Sequence, residues 1–313
     1  MSTRSQQEEN YLVNKALSVF PAPIKTGMKL DADIRLGDLQ LNTIDDNGVI
    51  WVVTGIDGWW SHPDTDVPDL DRGYADGSYD VIGRYKARQI NLKGAFLTQN
   101  PSQVAYARNK LISATNLVYT GAWFKTEEGP TKASYVRLSG APNIETKNAR
   151  GRTEFDIGLR AADPIKYEWY DLDEDGYRYD EVLLAGGTPS APKTISINNT
   201  GTAEVPCILQ LSGPTTGSVV MINSSHPLEQ QMTTRKALTS DNVLELDTRE
   251  HEAALSKVSD ESFYDTNGAR SYLDALVDWI MLVPGMNVIK VYETNNSAST
   301  AKLGVYYRSG WIG

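Results

Sequence analysis

A single cysteine, Cys207, stands in 313 residues, so no disulfide framework can form within the chain. That suits folding in a reducing cytosol. Cys207 sits in an apolar run, VPCIL, and reads as a buried, inert thiol. Histidine is nearly as scarce. His62, His226 and His251 are isolated, without metal-ligand spacing, which argues against zinc. Basic residues are outnumbered 30 to 40, for a formal net charge of −10. Nucleic-acid and membrane-surface roles both need a basic footprint, and this balance argues against them. No window approaches the roughly 18 uninterrupted apolar residues of a membrane span. Residues 1–20 lack the apolar core of a secretory signal, so the usual export route is not expected. No nucleophile elbow, phosphate-cradling glycine loop or fixed-period repeat is found.

What is present is mostly β texture. Residues 1–28 are expected to form a polar arm and a short amphipathic helix, with Tyr11, Leu12, Lys15, Ala16 and Val19 at near-helical spacing and Pro21 and Pro23 ending it. From 29 to 168 apolar and charged residues alternate, as in LDADIRLGDLQLNT, and GVIWVVTGI reads as a strand buried on both faces. The long Asp/Pro/Gly loop 57–80 follows, too long for a simple hairpin. YDVIGRYKARQINLKGAFL then predicts one long strand or two joined strands, with a bulge at Gly83 or Gly94. Ser102–Asn116 predicts a helix with Ser102 as N-cap and Val104, Ala107, Leu111 and Ala114 as its apolar stripe. Residues 169–192 read as an acidic segment and linker ending in GGTPSAP. Residues 193–313 hold short strands at regular spacing, the pattern of a β-sandwich or jelly roll, with Arg249–Asp274 as a polar surface excursion.

Three groups of residues could carry chemistry. Asp171, Asp173, Asp175 and Gly176 begin a calcium-loop pattern. Its twelfth position is Val182, where a bidentate Glu is needed, so a solvated acidic turn is the preferred reading and no metal is assigned. Asp64, Asp66, Asp69 and Asp71 could suggest paired glycosidase carboxylates. Clustered carboxylates on a loop are more often a solvated or salt-bridging surface. Trp59 and Trp60 point to opposite faces in a strand, predicting one buried and one at a subunit interface. Arg84, Lys86 and Arg88 share one face by period-2 counting, a basic strip that could pair with the acidic loop of a neighbouring subunit or of its own chain.

The ordered combination of GDLQLN, VIWVVTGIDGWW, the Asp/Pro loop, YDVIGRYKARQINLKGAFL and the helix after it resembles the N-terminal domain of siphophage distal tail proteins, the Dit family. NNTGTAEVPCILQLSGP, LVPGMNVIKVYE and the closing VYYRSGWI are similar to the C-terminal domain of distal tail and minor tail proteins, especially of phages infecting actinobacteria. The resemblance runs from about Leu30 to the end. It implies a mainly β protein: a barrel-like or sandwich domain related to the tail tube with a packed helix, then a galectin-like β-sandwich. It implies a virion structural protein, assembled in the host cytoplasm, whose homohexameric ring at the distal end of the tail joins the tail tube protein to the tail tip or baseplate hub protein. The tape measure protein would lie in the lumen. It implies no enzyme, no cofactor and no catalytic residue.

Under that reading Trp59, Trp60, Asp64, Asp66, Asp69, Asp71, Arg84, Lys86 and Arg88 are the subunit-interface candidates, because a closed ring needs two different faces that meet. The rival from another class is a carbohydrate-binding module for host cell-surface glycan, since the second domain looks like a lectin-type sandwich. A glycoside hydrolase is the weaker rival.

Overall fold

The computed structural model describes residues 33–74, 76, 78–146, 151–170, 176–258, 260–294 and 298–313. The expected N-terminal helix and the Asp171, Asp173, Asp175 run lie outside them. The chain is mainly β and divides into two compact units, residues 1–166 with 312–313, and residues 167–311.

The first unit opens with β1 (Ile34–Leu36) and β2 (Leu39–Leu41), a hairpin turning at Gly37, whose φ of 55° favours glycine. β3 (Ile50–Asp57) leads into four short strands: β4 (Thr65–Asp66), β5 (Leu70–Asp71), β6 (Ser78–Tyr79) and β7 (Arg84–Tyr85). β8 (Arg88–Leu97) and the helix α1 (Pro101–Ala114) follow. Then come β9 (Ala122–Glu127), β10 (Thr131–Leu138), β11 (Asn143–Thr146) and β12 (Arg152–Ala161). β13 (Lys166–Glu168) carries the chain into the second unit.

The main sheet runs β2-β1-β9-β10-β12-β8-β3, with β11 paired to β12. Its two edges meet. Ile44 bridges Ile50, the Trp51 N–H donates to Thr43 O over 2.8 Å, and the Val53 N–H donates to the Asn42 side chain over 2.8 Å. Closing a sheet on itself removes exposed edges, and this closure accords with a barrel-like first domain. Buried residues alternate along β1 and β2 and along most of β12, whereas Trp51, Val52 and Val53 of β3 are buried in succession, on both faces as expected. Leu36, Trp51, Trp59, Leu92, Phe96 and Phe124 form part of one core.

The helix is capped two residues earlier than expected. Asn100, not Ser102, is the N-cap: its side chain accepts the Gln103 N–H over 3.0 Å, and Pro101 starts the first turn, where no donor is needed. Ala107 and Leu111 face the core. The bulge also moves. The register slips on β3, between Val53 and Gly55, directly across from Gly94. Gly94 itself serves packing: a Cβ there would sit 2.3 Å from Phe155 Cζ and 2.6 Å from Val52 O.

In the second unit, residues 169–192 are not only a linker. β14 (Arg178–Leu183) pairs with β24 (Lys302–Tyr307) and so belongs to a sheet. Between them lie β15 (Lys193–Asn199), β16 (Val205–Ser212), β17 (Val219–Asn223), β18 (Gln230–Thr233), β19 (Asn242–Asp247), β20 (Glu252–Lys257), β21 (Asp260–Asp265), β22 (Met281–Leu282) and β23 (Gly285–Glu293). β25 (Gly310–Trp311) closes the unit. One antiparallel sheet runs β14-β24-β16-β19-β20-β21 and the other β15-β23-β17-β18. Burial alternates strictly on β16 and β23, the mark of strands with one face in a core. Arg249–Asp274 is more than a surface excursion, because it supplies β20 and β21 to the first of these sheets. Cys207 is buried on β16 as expected, and burial pushes its thiol up to about 12.

Candidate assembly interface

The stretch between β3 and β8 folds as an arm. β4 pairs with β7, and β5 pairs with β6. From Asp64 to Lys86 every described residue is exposed apart from the half-buried Val81. The arm therefore has almost no core of its own, although it carries Val67, Leu70, Tyr74, Tyr79, Tyr85 and Ile82, the last 92% exposed. A two-stranded ribbon is marginal in water without something to pack on. Exposed apolar side chains at this density mark a surface that another surface covers.

The candidates divide by where the arm places them. Asp64, Asp66, Asp69, Asp71, Arg84 and Lys86 are exposed on it. Lys86 Nζ lies 3.6 Å from Asp66, so part of the expected acid–base pairing is made within the chain. Exposed pairs of this kind add only ~0–1 kcal/mol. The tryptophans split as expected: Trp59 is fully buried and Trp60 is 43% exposed.

Arg88 departs from the sequence reading. It does not share the exposed face of Arg84 and Lys86; it is 0% exposed. The period-2 count breaks because the ribbon ends at Tyr85 and β8 starts afresh at Arg88. Its guanidinium donates to Gly58 O (3.0 Å), Trp59 O (3.2 Å) and Ser61 O (2.7 Å) at the root of the arm. It also donates to Pro164 O (2.9 and 3.1 Å) and Ile312 O (2.6 Å). A planar five-donor fork suits converging carbonyls, which need donors once buried.

Two residues that sequence reasoning missed, Lys166 and Glu128, complete this root. Lys166 Nζ donates to Trp59 O over 3.0 Å, and burial pushes its ammonium from 10.5 down to about 8. Glu128 accepts from the Trp59 indole N–H and from Thr126 Oγ1 (2.7 Å), and pairs with Lys132 at 3.1 Å. Burial alone would raise that carboxyl, but hydrogen bonds from Thr126 and Trp59 and the Lys132 charge hold it below the usual carboxylate range. Trp59 packs edge-on against Phe124 at 4.9 Å. A lysine opening a strand and a glutamate in a turn carry no local signal of such a meeting, since 38 positions separate them in sequence.

Chemically, the arrangement positions a chain segment. Among the described residues no cluster of acidic, histidine or cysteine side chains could hold a metal ion.

No family model matches the chain, and no curated protein sequence matches it. Solved structures do. The Dit protein (gp 19.1) of phage SPP1, described as a paradigm of the hub adsorption apparatus in phages infecting Gram-positive bacteria, is 12% identical, with 89% of this chain and 98% of that one covered at a TM-score of 0.60. A chain of the phage P2 baseplate in its activated conformation is 8% identical over the same shares, at a TM-score of 0.46.

Proposed function

Because the chain has the fold of the SPP1 distal tail protein, we propose that it is itself a phage virion structural protein, a distal tail protein that works by assembly and not by catalysis. Its first units close into a ring, a homohexamer, joining the end of the tail tube to the tip or baseplate, with the tape measure protein in the lumen. Ring closure uses a heterologous contact, one face of a subunit against a different face of the next.

The observation that carries this reading is the arm: exposed, rich in uncovered apolar side chains, yet rooted in a buried hydrogen-bonded node. Trp60, Asp64, Asp66, Asp69, Asp71, Arg84 and Lys86 are its contact residues. Arg88 and Trp59 act behind them, by fixing the root. Negative-stain imaging and mass photometry of the purified chain test the reading. Rings with a central hole are expected, and a chain that stays monomeric at every concentration overturns it.

A further inference from the structure

On the outward face of the main sheet, Arg137 of β10 and Arg160 of β12 stand directly opposite each other across the strand pair. Both are exposed, and neither makes an ion pair with another described residue. Like charges directly opposite in an antiparallel pair destabilise it. The fold therefore keeps a repulsion here that either residue could relieve by being neutral.

The surroundings form a receiving surface. Gln89 of β8 stands opposite Arg160 on the other side, adding a carboxamide to the two guanidiniums. Along β10 lies the exposed Tyr135, opposite Trp123, their rings 5.5 Å apart and edge-on. The Gly121 N–H donates to Tyr135 Oη over 2.9 Å, which ties the loop carrying the exposed Val118 and Tyr119 to this strand. Two carboxylate-matching forks thus sit beside an aromatic ledge.

The arm has the complementary chemistry. It carries six aspartates between residues 64 and 86 against Arg72, Arg84 and Lys86. Lys86 is held by Asp66, and the Arg72 guanidinium lies over the Tyr79 ring at 5.6 Å. Asp69 and Asp71 flank the exposed Leu70 in sequence, three residues before the uncovered Tyr74. Acids interleaved with apolar side chains match paired arginines beside aromatics.

We propose that the Arg137–Arg160 face receives the acidic arm of a second copy of this chain. The inference rests on the ring reading and gives its two unlike faces: the arm of one subunit, and the paired arginines of the next. The arginine repulsion, unrelieved by any ion pair among the described residues of one chain, is relieved by the neighbour's Asp69 and Asp71.

Reciprocal charge reversal in the full chain tests it, read by mass photometry at low and high salt. R137E/R160E and D69K/D71K should each raise the concentration needed for assembly about tenfold or more, most visibly at low salt. The four changes combined should recover most of the loss. R137Q/R160Q should weaken assembly while raising the melting temperature of the monomer, a pairing of effects that a purely structural role would not give. It also keeps the test valid if a reversal variant misfolds. A wild-type ring that survives R137E/R160E, or a combination no better than either reversal, overturns this inference and leaves the ring reading standing. A wild-type chain that never assembles overturns both.

Discussion

The Lys166 ammonium donates to the backbone oxygen of Trp59 over 3.0 Å and lies 5.0 Å from the centre of the same residue's ring. The lysine is 1% exposed: burial lowers its value most, the Glu128 charge opposes that, and the Lys132 and Arg88 charges add to it, so the cation is held here at a cost. Its folded value of about 8 lies below the ordinary 10.5, so the folded chain binds fewer protons than the unfolded chain between those values. Stability should therefore rise with pH from about 8 to 10.5. Lys166→Met should abolish that rise and gain on the order of 3 kcal/mol at neutral pH, less the lost bond to Trp59. Urea titrations at neutral and alkaline pH check both signs.

Arg88→Met should cost about 3–5 kcal/mol, because five carbonyls lose a buried charged donor together. Arg88→Lys should rescue little of this, since an ammonium has three donors and no planar fork. Denaturation midpoints measure the loss, and a proteolysis pattern with new cuts between residues 58 and 64 should accompany it.

Gly94→Ala should destabilise by about 1–3 kcal/mol, because its Cβ meets both a ring and a backbone oxygen. Phe155→Leu in the same chain should return part of the loss by clearing the ring while leaving Val52 O in place, so the two changes are non-additive. Thermal melts of both singles and the double give the coupling.

In the second unit, Asn287 is fully buried and uses its whole amide. Its oxygen accepts from Val283 N (3.0 Å) and Asn223 Nδ2 (3.2 Å), and its nitrogen donates to Val283 O (2.7 Å) and Gly285 O (3.0 Å). Asn287→Leu is nearly isosteric but strands those partners, and about 2–4 kcal/mol should be lost. Equal stability in urea would show that the turn at Gly285 does not depend on it.

Replacing residues 64–86 by a short Gly-Ser link should leave the melting temperature within a few degrees, because the exposed arm contributes little to the core. The same deletion should abolish assembly. Calorimetry and mass photometry on one preparation separate the two effects.

Alternation made the strands legible: Ile34, Leu36, Phe155, Ile157 and Leu159 all face inward as their period requires. The helix stripe at Ala107 and Leu111 was equally plain. The arm was visible as a loop too long to be filler, and the tryptophan pair as one in, one out. Arg88 was not legible, because its burial depends on carbonyls from residues 58, 164 and 312, which nothing local announces. Nor was β14, which shows no alternation because five of its six residues are exposed. Its pairing with Leu303 and Val305 is set by the partner strand and not by its own composition. The opposed Arg137 and Arg160 each had an outward position in the pattern, but their meeting needed the register of β10 on β12.

The Ile312 oxygen on the Arg88 guanidinium spans 224 positions. In chain order the second unit is an insertion within the first, which resumes at Ile312 with this acceptor. A fragment cut after Lys166 would lack that acceptor and leave the root of the arm one bond short. During synthesis the same gap persists until the whole of the second unit has emerged. The root of the arm thus gains its last donor–acceptor pair only after the second unit has been made.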